Sequence, residues 1–247
     1  MAYQVRWEAP DQAKTLDVSQ VVALEQAIAA AGTSLDELMQ RAGASAAQFI
    51  RNRWQPGADV VVFCGTGNNG GDGWVIGQLL AQAGYSVRLI SSCKAEQVNA
   101  HPAREAAARC LAATVGLESF RLAVDPALDE VLAWAAEADV VVDALLGTGF
   151  HYDSLREPTR GYVQVIASLG NPDGGGQSAT RPHIVAIDVP SGLNAQTGTA
   201  TDPVVRADST VTMMALKTGI MTPSGRKLCG ALAVAHIADL DPFLPKA

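Results

Sequence analysis

Short apolar runs alternate with amphipathic segments along most of the chain, and this pattern predicts strands and helices in alternation. The runs at 139–142 and 184–187 are almost continuously apolar, which is typical of parallel strands covered on both faces. The pattern therefore predicts an α/β fold with a doubly wound, mostly parallel sheet in a Rossmann-like three-layer α/β/α arrangement. The predicted strands are 59–63, 85–90, 139–142, 184–187, 210–214 and 232–237, with a weaker candidate at 120–124, and the predicted helices are 73–83, 96–112, 126–138 and 158–169.

Two further helices are predicted before the first of these strands, as an N-terminal helical extension. Ser34-Leu35-Asp36-Glu37 has the pattern of a capping box, in which serine and glutamate satisfy free N–H groups at a helix start. The apolar stripe that follows has two interpretations, because such a stripe most often packs into the protein's own core and less often forms a subunit interface. The stripe consists of Leu35, Leu38, Met39, Ala42, Phe49 and Ile50, and the earlier helix is marked by Val21, Leu24 and Ile28.

The length of the chain limits the number of domains. Its 247 residues suffice for one α/β domain or two small ones. Because no linker and no internal repeat is visible, we expect a single domain over residues 1–247. Residues 171–178 are rich in glycine and polar residues and predict a surface loop.

Composition and charge narrow the class of protein. The net charge of −7 argues against a nucleic-acid backbone as a partner. The four cysteines show no CxxC spacing, so neither a metal framework nor a disulfide framework is indicated. The N-terminus has no apolar signal core, and no apolar run approaches the roughly 20 residues of a membrane span. We therefore expect a cytoplasmic protein with no membrane partner.

A glycine-rich segment follows the first predicted strand and precedes a predicted helix, a position at which backbone N–H groups point toward a bound anion. Its residues Gly65, Gly67 and Gly70 match the GxGxxG pattern of NAD-binding Rossmann domains. Such domains also need an acidic residue about 20 residues later to bind the ribose hydroxyls. Here no carboxylate follows the strand at 85–90 before Glu96, which disfavours an NAD-dependent oxidoreductase.

The same segment carries polar side chains that a bare phosphate loop does not need. Asn68, Asn69 and Asp72 stand among its glycines, so we interpret the segment as a binding site for a polar ligand. The alternative for Asp72 is a helix cap, and the alternative for either asparagine is a left-handed turn.

Two aspartates stand where a buried strand meets its loop, Asp143 after 139–142 and Asp188 after 184–187. Open parallel sheets bind ligands at the carboxyl ends of their strands, and in a Rossmann-like order the first and fourth strands are neighbours. Asn69, Asp143 and Ser191 are therefore predicted to converge as oxygen ligands for a hard cation. Loop capping is the alternative role for each aspartate.

Four segments resemble motifs of the NAD(P)H-hydrate epimerases, the YjeF N-terminal domain family: GTGNNGGDG at 65–73, DALLGTGF at 143–150, IDVPSGLNAQTG at 187–198 and MALKTGI at 214–220. The resemblance implies repair of hydrated nicotinamide cofactors, by interconversion of the R and S epimers of hydrated NADH and NADPH. Relatives are often fused to a dehydratase, so a fused or separate dehydratase partner is implied. A homodimer is implied as well, and we expect it to form through the N-terminal helices.

The resemblance also implies roles for particular residues. Potassium, one ion per subunit, is assigned to Asn69, Asp143 and Ser191, and no redox cofactor is expected. Asp188 receives both a substrate-binding and a catalytic role. The residues implied to contact the hydrated cofactor are Asn68, Asn69, Gly70, Gly71, Asp72, Gly147, Thr148, Gly149, Phe150, His151, Tyr152, Asp153 and Asp188.

Epimerisation at C6 of the hydrate needs one positioned acid–base group. Protonation of the C6 hydroxyl lets water leave and gives a planar iminium, to which water can return on either face; opening and reclosure of the ring is the alternative route. Asp188 is our choice for this group, because Asp143 is assigned to the cation. A non-catalytic dinucleotide-binding or scaffold protein on the same fold is the alternative function, and the presence of the polar loop residues argues against it.

Overall fold

The computed structural model describes residues 4–170 and 181–244, so the loop predicted at 171–178 lies outside the described residues. The strands are β1 (Arg6–Glu8), β2 (Thr15–Leu16), β3 (Asp59–Cys64), β4 (Ser86–Ser91), β5 (Phe120–Val124), β6 (Val140–Ala144), β7 (His183–Ile187), β8 (Ser209–Met213), β9 (Leu216–Lys217) and β10 (Ala231–His236). The helices are α1 (Val18–Ala30), α2 (Leu35–Arg51), α3 (Asn68–Gln82), α4 (His101–Thr114), α5 (Leu128–Glu137), α6 (Thr159–Leu169), α7 (Thr218–Met221) and α8 (Pro223–Arg226).

The main sheet has the strand order β1-β10-β8-β7-β6-β3-β4-β5. Its neighbouring strands are parallel except for β1, which pairs antiparallel with β10. Val60 of β3 lies opposite Val87 of β4 on one side and Val140 of β6 on the other. The first and fourth strands of the parallel series are therefore neighbours, as predicted, and the strand order reverses direction between them.

Alternate residues of β3 face two separate hydrophobic cores. Val60, Val62 and Cys64 pack into the larger core, to which helices α1 to α4 contribute. Val61 and Phe63 face the other core, to which α5 and α6 contribute. Because side chains of a strand point alternately to opposite faces, a strand that is apolar at every position is buried on both sides. This arrangement confirms the predicted three-layer α/β/α fold.

Three short strands and the start of helix α3 differ from the prediction. β1 pairs with the edge of the main sheet, and β2 and β9 form a small sheet of their own. These strands have two or three residues, too few to give a readable alternation. Helix α3 begins at Asn68, five residues before its predicted start, so the polar part of the glycine-rich segment is helical.

The stripe on α2 packs mostly within the chain itself. Ser34 caps the helix by accepting a hydrogen bond from the N–H of Glu37 (3.1 Å). The Glu37 carboxylate accepts from the Arg41 guanidinium (2.5 Å), so the structure shows the serine half of the predicted capping box. Met39, Phe49 and Ile50 are buried, and Leu35 is 43% exposed. Homodimer formation through this helix stays a prediction, with Leu35 as the large apolar side chain of the stripe that remains accessible. Among the described residues no helix is both long and apolar enough to cross a bilayer.

A bidentate ion pair joins the amino ends of β7 and β8, at the edge of the sheet opposite the glycine-rich segment. The guanidinium of Arg181 donates to both carboxylate oxygens of Asp208 (2.8 and 2.6 Å), and one of these oxygens also accepts the N–H of Ile184 (2.8 Å). Burial opposes ionisation of Asp208, but these hydrogen bonds and the charge of Arg181 outweigh it, so its pKa lies below the ordinary value.

We expect Asp208→Asn to lower the free energy of unfolding by about 2 kcal/mol at pH 7, since a charge-assisted hydrogen-bond pair is lost. A carboxyl whose folded pKa is depressed stabilises the protein above its unfolded pKa, near 3.8, and this stabilisation is lost as pH falls through the folded value. The free energies of unfolding of the wild type and Asp208→Asn, measured with urea, should therefore become more similar between pH 5 and pH 3. Asp11→Asn, at an exposed position, is the control and should match the wild type. A constant difference across this range would contradict the assignment.

Candidate active site

A cavity of about 730 Å³ opens at the carboxyl ends of β3, β6 and β7. This is the edge at which the strand order reverses, the usual ligand site of open parallel sheets. The wall opposite the strand ends comes from α1 and α2, with Val21, Glu25, Leu38 and Met39. The predicted site residues that line it are Asn68, Asn69, Asp72, Gly147, Thr148, Gly149, Phe150, Tyr152 and Asp188.

The other predicted site residues do not line this cavity. Gly70 and Gly71 are buried in the first turns of α3, and His151 and Asp153 lie on the exposed surface beside the cavity mouth. Asp143 and Ser191 are fully buried. The structure thus separates residues that line the cavity from the buried pair Asp143 and Ser191, which were predicted as oxygen ligands of a cation.

The glycine-rich segment is shaped by close approaches of the backbone. A Cβ at Gly65 would overlap the carbonyl oxygen of Leu145, and a Cβ at Gly70 would overlap the carbonyl oxygen of Gly65. The N–H of Gly65 also donates to the carbonyl of Ala144 (3.0 Å). Glycine is a poor helix former, but at these positions no larger residue fits, so tertiary packing decides where α3 begins.

Asn69, Asp143 and Ser191 converge, as predicted from their positions at strand ends. Asp143 accepts hydrogen bonds from the hydroxyl (2.6 Å) and the N–H (2.8 Å) of Ser191. The amide nitrogen of Asn69 donates to the carbonyl of Leu146 (2.8 Å), whose own N–H donates to the Ser191 hydroxyl (3.0 Å). Leu146 therefore joins the three side chains into one hydrogen-bonded group.

Two oxygens of this group are suited to a cation. The Oδ1 atom of Asn69 is buried and accepts no hydrogen bond from the described part of the chain. Burial raises the pKa of Asp143 to about 6, although hydrogen bonds from Ser191 and Leu145 oppose the rise, and no salt bridge in the described ranges involves this carboxyl. Among the described residues no group of three His, Cys, Asp or Glu side chains could hold a metal. Amide, hydroxyl and single carboxylate oxygens fit a hard ion of low charge.

Asp188 directly follows β7, and each oxygen of its carboxylate contacts a partner from another segment of the chain. Its φ of +68° is uncommon for a residue with a side chain. Its Oδ2 atom accepts the N–H of Thr148 (2.8 Å), and its Oδ1 atom lies 2.5 Å from the Nζ atom of Lys217. A Cβ at Gly147 would lie 3.0 Å from Oδ2 of Asp188 and 3.2 Å from Cβ of Asn69, so Asp188 and Asn69 flank this glycine closely.

Lys217 is a site residue that the sequence analysis did not single out. It lies in β9 with 1% of its surface exposed, and it lines the cavity together with Asp188. Its ammonium also donates to the Thr212 hydroxyl (2.8 Å) and the Met213 carbonyl (3.0 Å). A lysine preceded by Met213-Met214-Ala215-Leu216 is a visible signal in the sequence, because lysine is almost never fully buried unless it is paired.

Glu25 of α1 was also not foreseen, and it adds a third carboxyl to the cavity. Burial, followed by the charge of Asp188, raises the pKa of Glu25, and Lys217 opposes this. The same causes, together with the charge of Glu25, raise the pKa of Asp72 well above its ordinary value. The cavity therefore holds a proton more readily than isolated carboxylates would, and strongly perturbed carboxyls in a cleft are typical of functional sites.

Comparisons with known proteins agree with these features. A model of the family described as "YjeF-related protein N-terminus" matches residues 35–219. Similar curated proteins include two named bifunctional NAD(P)H-hydrate repair enzyme Nnr. The Escherichia coli (strain K12) protein is 36% identical over 201 residues, 81% of this chain and 35% of that protein. The Coxiella burnetii protein is 33% identical over 224 residues, 91% of this chain and 41% of that protein. The chain thus spans only about two fifths or less of their length.

The fold has a counterpart among solved structures. The crystal structure of yeast ynu0, YNL200c, superposes with a TM-score of 0.68, and the match covers 83% of this chain and 82% of that chain. At 23% identity, this similarity demonstrates a shared fold alone.

Gly65→Ala should destabilise the protein by about 1–3 kcal/mol, because its new methyl group meets backbone that cannot move aside as a side chain can. Gly149→Ala is the matched control, since a Cβ there has nothing within 4 Å and the residue lines the same cavity. Its free energy of unfolding should stay within about 0.5 kcal/mol of the wild type. Chemical denaturation of the three proteins checks this, and equal midpoints would show that the segment is not tightly packed.

Proposed function

Because the chain belongs to the family described as YjeF-related protein N-terminus, we propose that it is an NAD(P)H-hydrate epimerase. It is then an isomerase that interconverts the R and S forms of hydrated NADH and NADPH. The observation that carries this proposal is the placement of Asp188, paired with Lys217, in the cavity across from the glycine-rich start of α3. The names of the repair enzymes similar to this chain support the same substrate.

In the proposed reaction, Asp188 moves the proton at the C6 oxygen of the hydrate. Protonation of the hydroxyl breaks the C6–O bond, water leaves, and the ring nitrogen supplies the electrons that form a planar iminium. Water returns to either face and gives up a proton to the same carboxylate, which restores the enzyme. The side chain is suited to this task because the hydrogen bond from Thr148 and the ion pair with Lys217 fix its direction.

Two stretches are proposed to bind the rest of the substrate. Asn68 to Asp72 supply the amino end of α3, where free N–H groups favour an anion such as a phosphate. Gly147 to Asp153 form the opposite lip, where Tyr152 is 58% exposed and stacks on His151 with ring centroids 4.4 Å apart. Aromatic rings at a cavity mouth are suited to stacking on a base or a nicotinamide ring.

Potassium, one ion per subunit, is proposed to bind Asn69, Asp143 and Ser191. The buried unpartnered Oδ1 of Asn69 and the buried Asp143 carboxyl support this assignment. When bound, the ion offsets the carboxylate charge and joins the segments that follow β3, β6 and β7. It thereby stabilises the two lips of the cavity.

Several wider properties stay predictions. We propose a single domain over residues 1–247, supported by the sheet that joins β1 near one end of the chain to β10 near the other. A homodimer, a cytoplasmic location, the absence of a redox cofactor and a fused or separate dehydratase partner are proposed on the resemblance to the family. The word bifunctional in the relatives' names supports such a partner. A scaffold function has no specific support, because a binding module needs no buried ion pair in its cavity.

Asp188→Asn should lower the rate of epimerisation by about 10² or more, since the amide keeps the size of the side chain but cannot carry the proton. Pure R-hydrate is incubated with enzyme, and the S epimer is measured by chiral separation. The matched control is Asp129→Asn, an exposed residue of α5 on the other side of the sheet, which should leave the rate unchanged. If Asp188→Asn turned over normally while Asp143→Asn abolished turnover, the acid–base and cation roles would be exchanged.

Potassium should raise the melting temperature more at pH 7.5 than at pH 5. Burial raises the pKa of Asp143 to about 6, so ionisation of this carboxyl costs stability as pH rises from about 4 through 6. A cation bound to the ionised form offsets that cost only where the group is ionised, and each kcal/mol gained corresponds to roughly 2–4 °C. Calorimetry in potassium chloride against choline chloride measures the effect. Asp143→Asn should lose it, and an equal shift in both salts would rule out a specific site.

A further inference from the structure

We propose that Lys217 is a positioning residue for epimerisation, which sets the direction and the counter-charge of the Asp188 carboxylate. This inference rests on the proposed function and extends it to a residue for which neither the sequence motifs nor the comparisons give a role. It is carried by the geometry of a buried ammonium whose hydrogen bonds all go to the protein.

The hydrogen bonds of Lys217 show that it acts through Asp188. An ammonium has three N–H donors. Lys217 donates two of them, to the Thr212 hydroxyl (2.8 Å) and the Met213 carbonyl (3.0 Å), and its Nζ atom lies 2.5 Å from Asp188 Oδ1 in an ion pair. Three protein oxygens thus surround the ammonium, so we assign Lys217 to the support of the carboxylate and not to contact with the reacting atoms.

The backbone at Asp188 needs such support. A residue with a side chain at a φ of +68° persists only where its surroundings hold it. One carboxylate oxygen is fixed by the N–H of Thr148 and the other by Lys217, which comes from a different element, β9. The Thr212 hydroxyl also lies 3.5 Å from Oδ1, but it carries no charge, so without the ammonium only neutral donors would orient the carboxylate.

The charges that face Asp188 give Lys217 its second role. Glu25 from α1 and Asp72 from α3 line the same cavity and repel the carboxylate, and Lys217 from β9 attracts it. Arg156 and Glu157 also line the cavity, from an exposed segment, and carry opposite charges. Lys217 is thus a buried cation beside these carboxyls, and its loss leaves Asp188 facing Glu25 and Asp72 without a counter-charge.

A purely structural role does not explain a lysine at this position. A buried ammonium pays a desolvation cost that an apolar residue of similar length avoids, and Met213 and Met214 show that the neighbourhood accepts methionine. Positions at which a sequence breaks the packing rules tend to be functional sites. Lys217→Met nevertheless leaves the Asp188 carboxylate without its partner, so we expect it to melt below the wild type, and its activity is measured at a temperature at which circular dichroism shows it folded.

The first test compares Lys217→Met with the wild type, and with Lys227→Met as the control at an exposed lysine. The R-hydrate assay should show that Lys217→Met lowers kcat by about 10²-fold, with KM changed less than about threefold. The alkaline limb of its pH–kcat profile should move to higher pH, because the reaction begins with a proton on Asp188 and the variant lacks the cation that favours the ionised carboxylate. Unchanged kcat and pH profile in a folded Lys217→Met would overturn the proposal.

Chemical rescue gives a second test that does not depend on that variant. Lys217→Ala lacks the three carbons and the ammonium that propylammonium supplies. Added propylammonium should restore kcat at least about tenfold, whereas 1-propanol, which has no charge, should restore nothing. A failure of both compounds in a folded Lys217→Ala would overturn the positioning role.

The two proposals fail in different ways. If the wild type itself does not epimerise the hydrate, the proposed function is wrong. If the wild type is active and Lys217→Met is equally active, only the role of Lys217 is refuted.

Discussion

The cavity depends on one constraint, the contact of three stretches of backbone that have no side chains between them. Gly65 lies against the carbonyl of Leu145 and also against Gly70, so the end of β3, the segment after β6 and the first turn of α3 meet at a single point. This contact brings Asn69 to Leu146, and through Leu146 to Ser191 and Asp143. The parallel pairing of β3 with β6 sets the register on which this contact relies.

Charge in the cavity is distributed over four elements that are distant in sequence. Carboxyls come from α1, α3 and the end of β7, and the ammonium comes from β9. The fold keeps the Asp188–Lys217 pair nearly buried, at 14% and 2% side-chain exposure, while the cavity above it stays open to a ligand. Electrostatic interactions are stronger in a partly buried site than in water, so removal of one charged group changes the proton affinity of the others.

The periodicity of the sequence predicts the fold well because parallel strands buried on both faces have few other interpretations. The convergence of Asn69, Asp143 and Ser191 also follows from strand ends alone, and the comparisons confirm the family resemblance. The predicted start of α3 was wrong. The low helix propensity of glycine favours a loop over these residues, and the close packing against Gly65 overrides that preference. Glu25 escaped notice because its electrostatic coupling to Asp188 spans more than 160 residues of sequence, which no local pattern records. Lys217 leaves a local signal, a lysine after an apolar run, but its pairing with Asp188 is visible only in the structure.

Glu25 lies in helix α1, which precedes the part of the chain that the family model matches. The match to the family model starts at residue 35, whereas α1 spans Val18–Ala30 and lies before that match. This helix anchors itself in the larger core through Val21, Leu24 and Ile28, and it turns Glu25 toward Asp188. A fragment that began at residue 35 would therefore lose one wall of the cavity and expose the core residues that α1 covers.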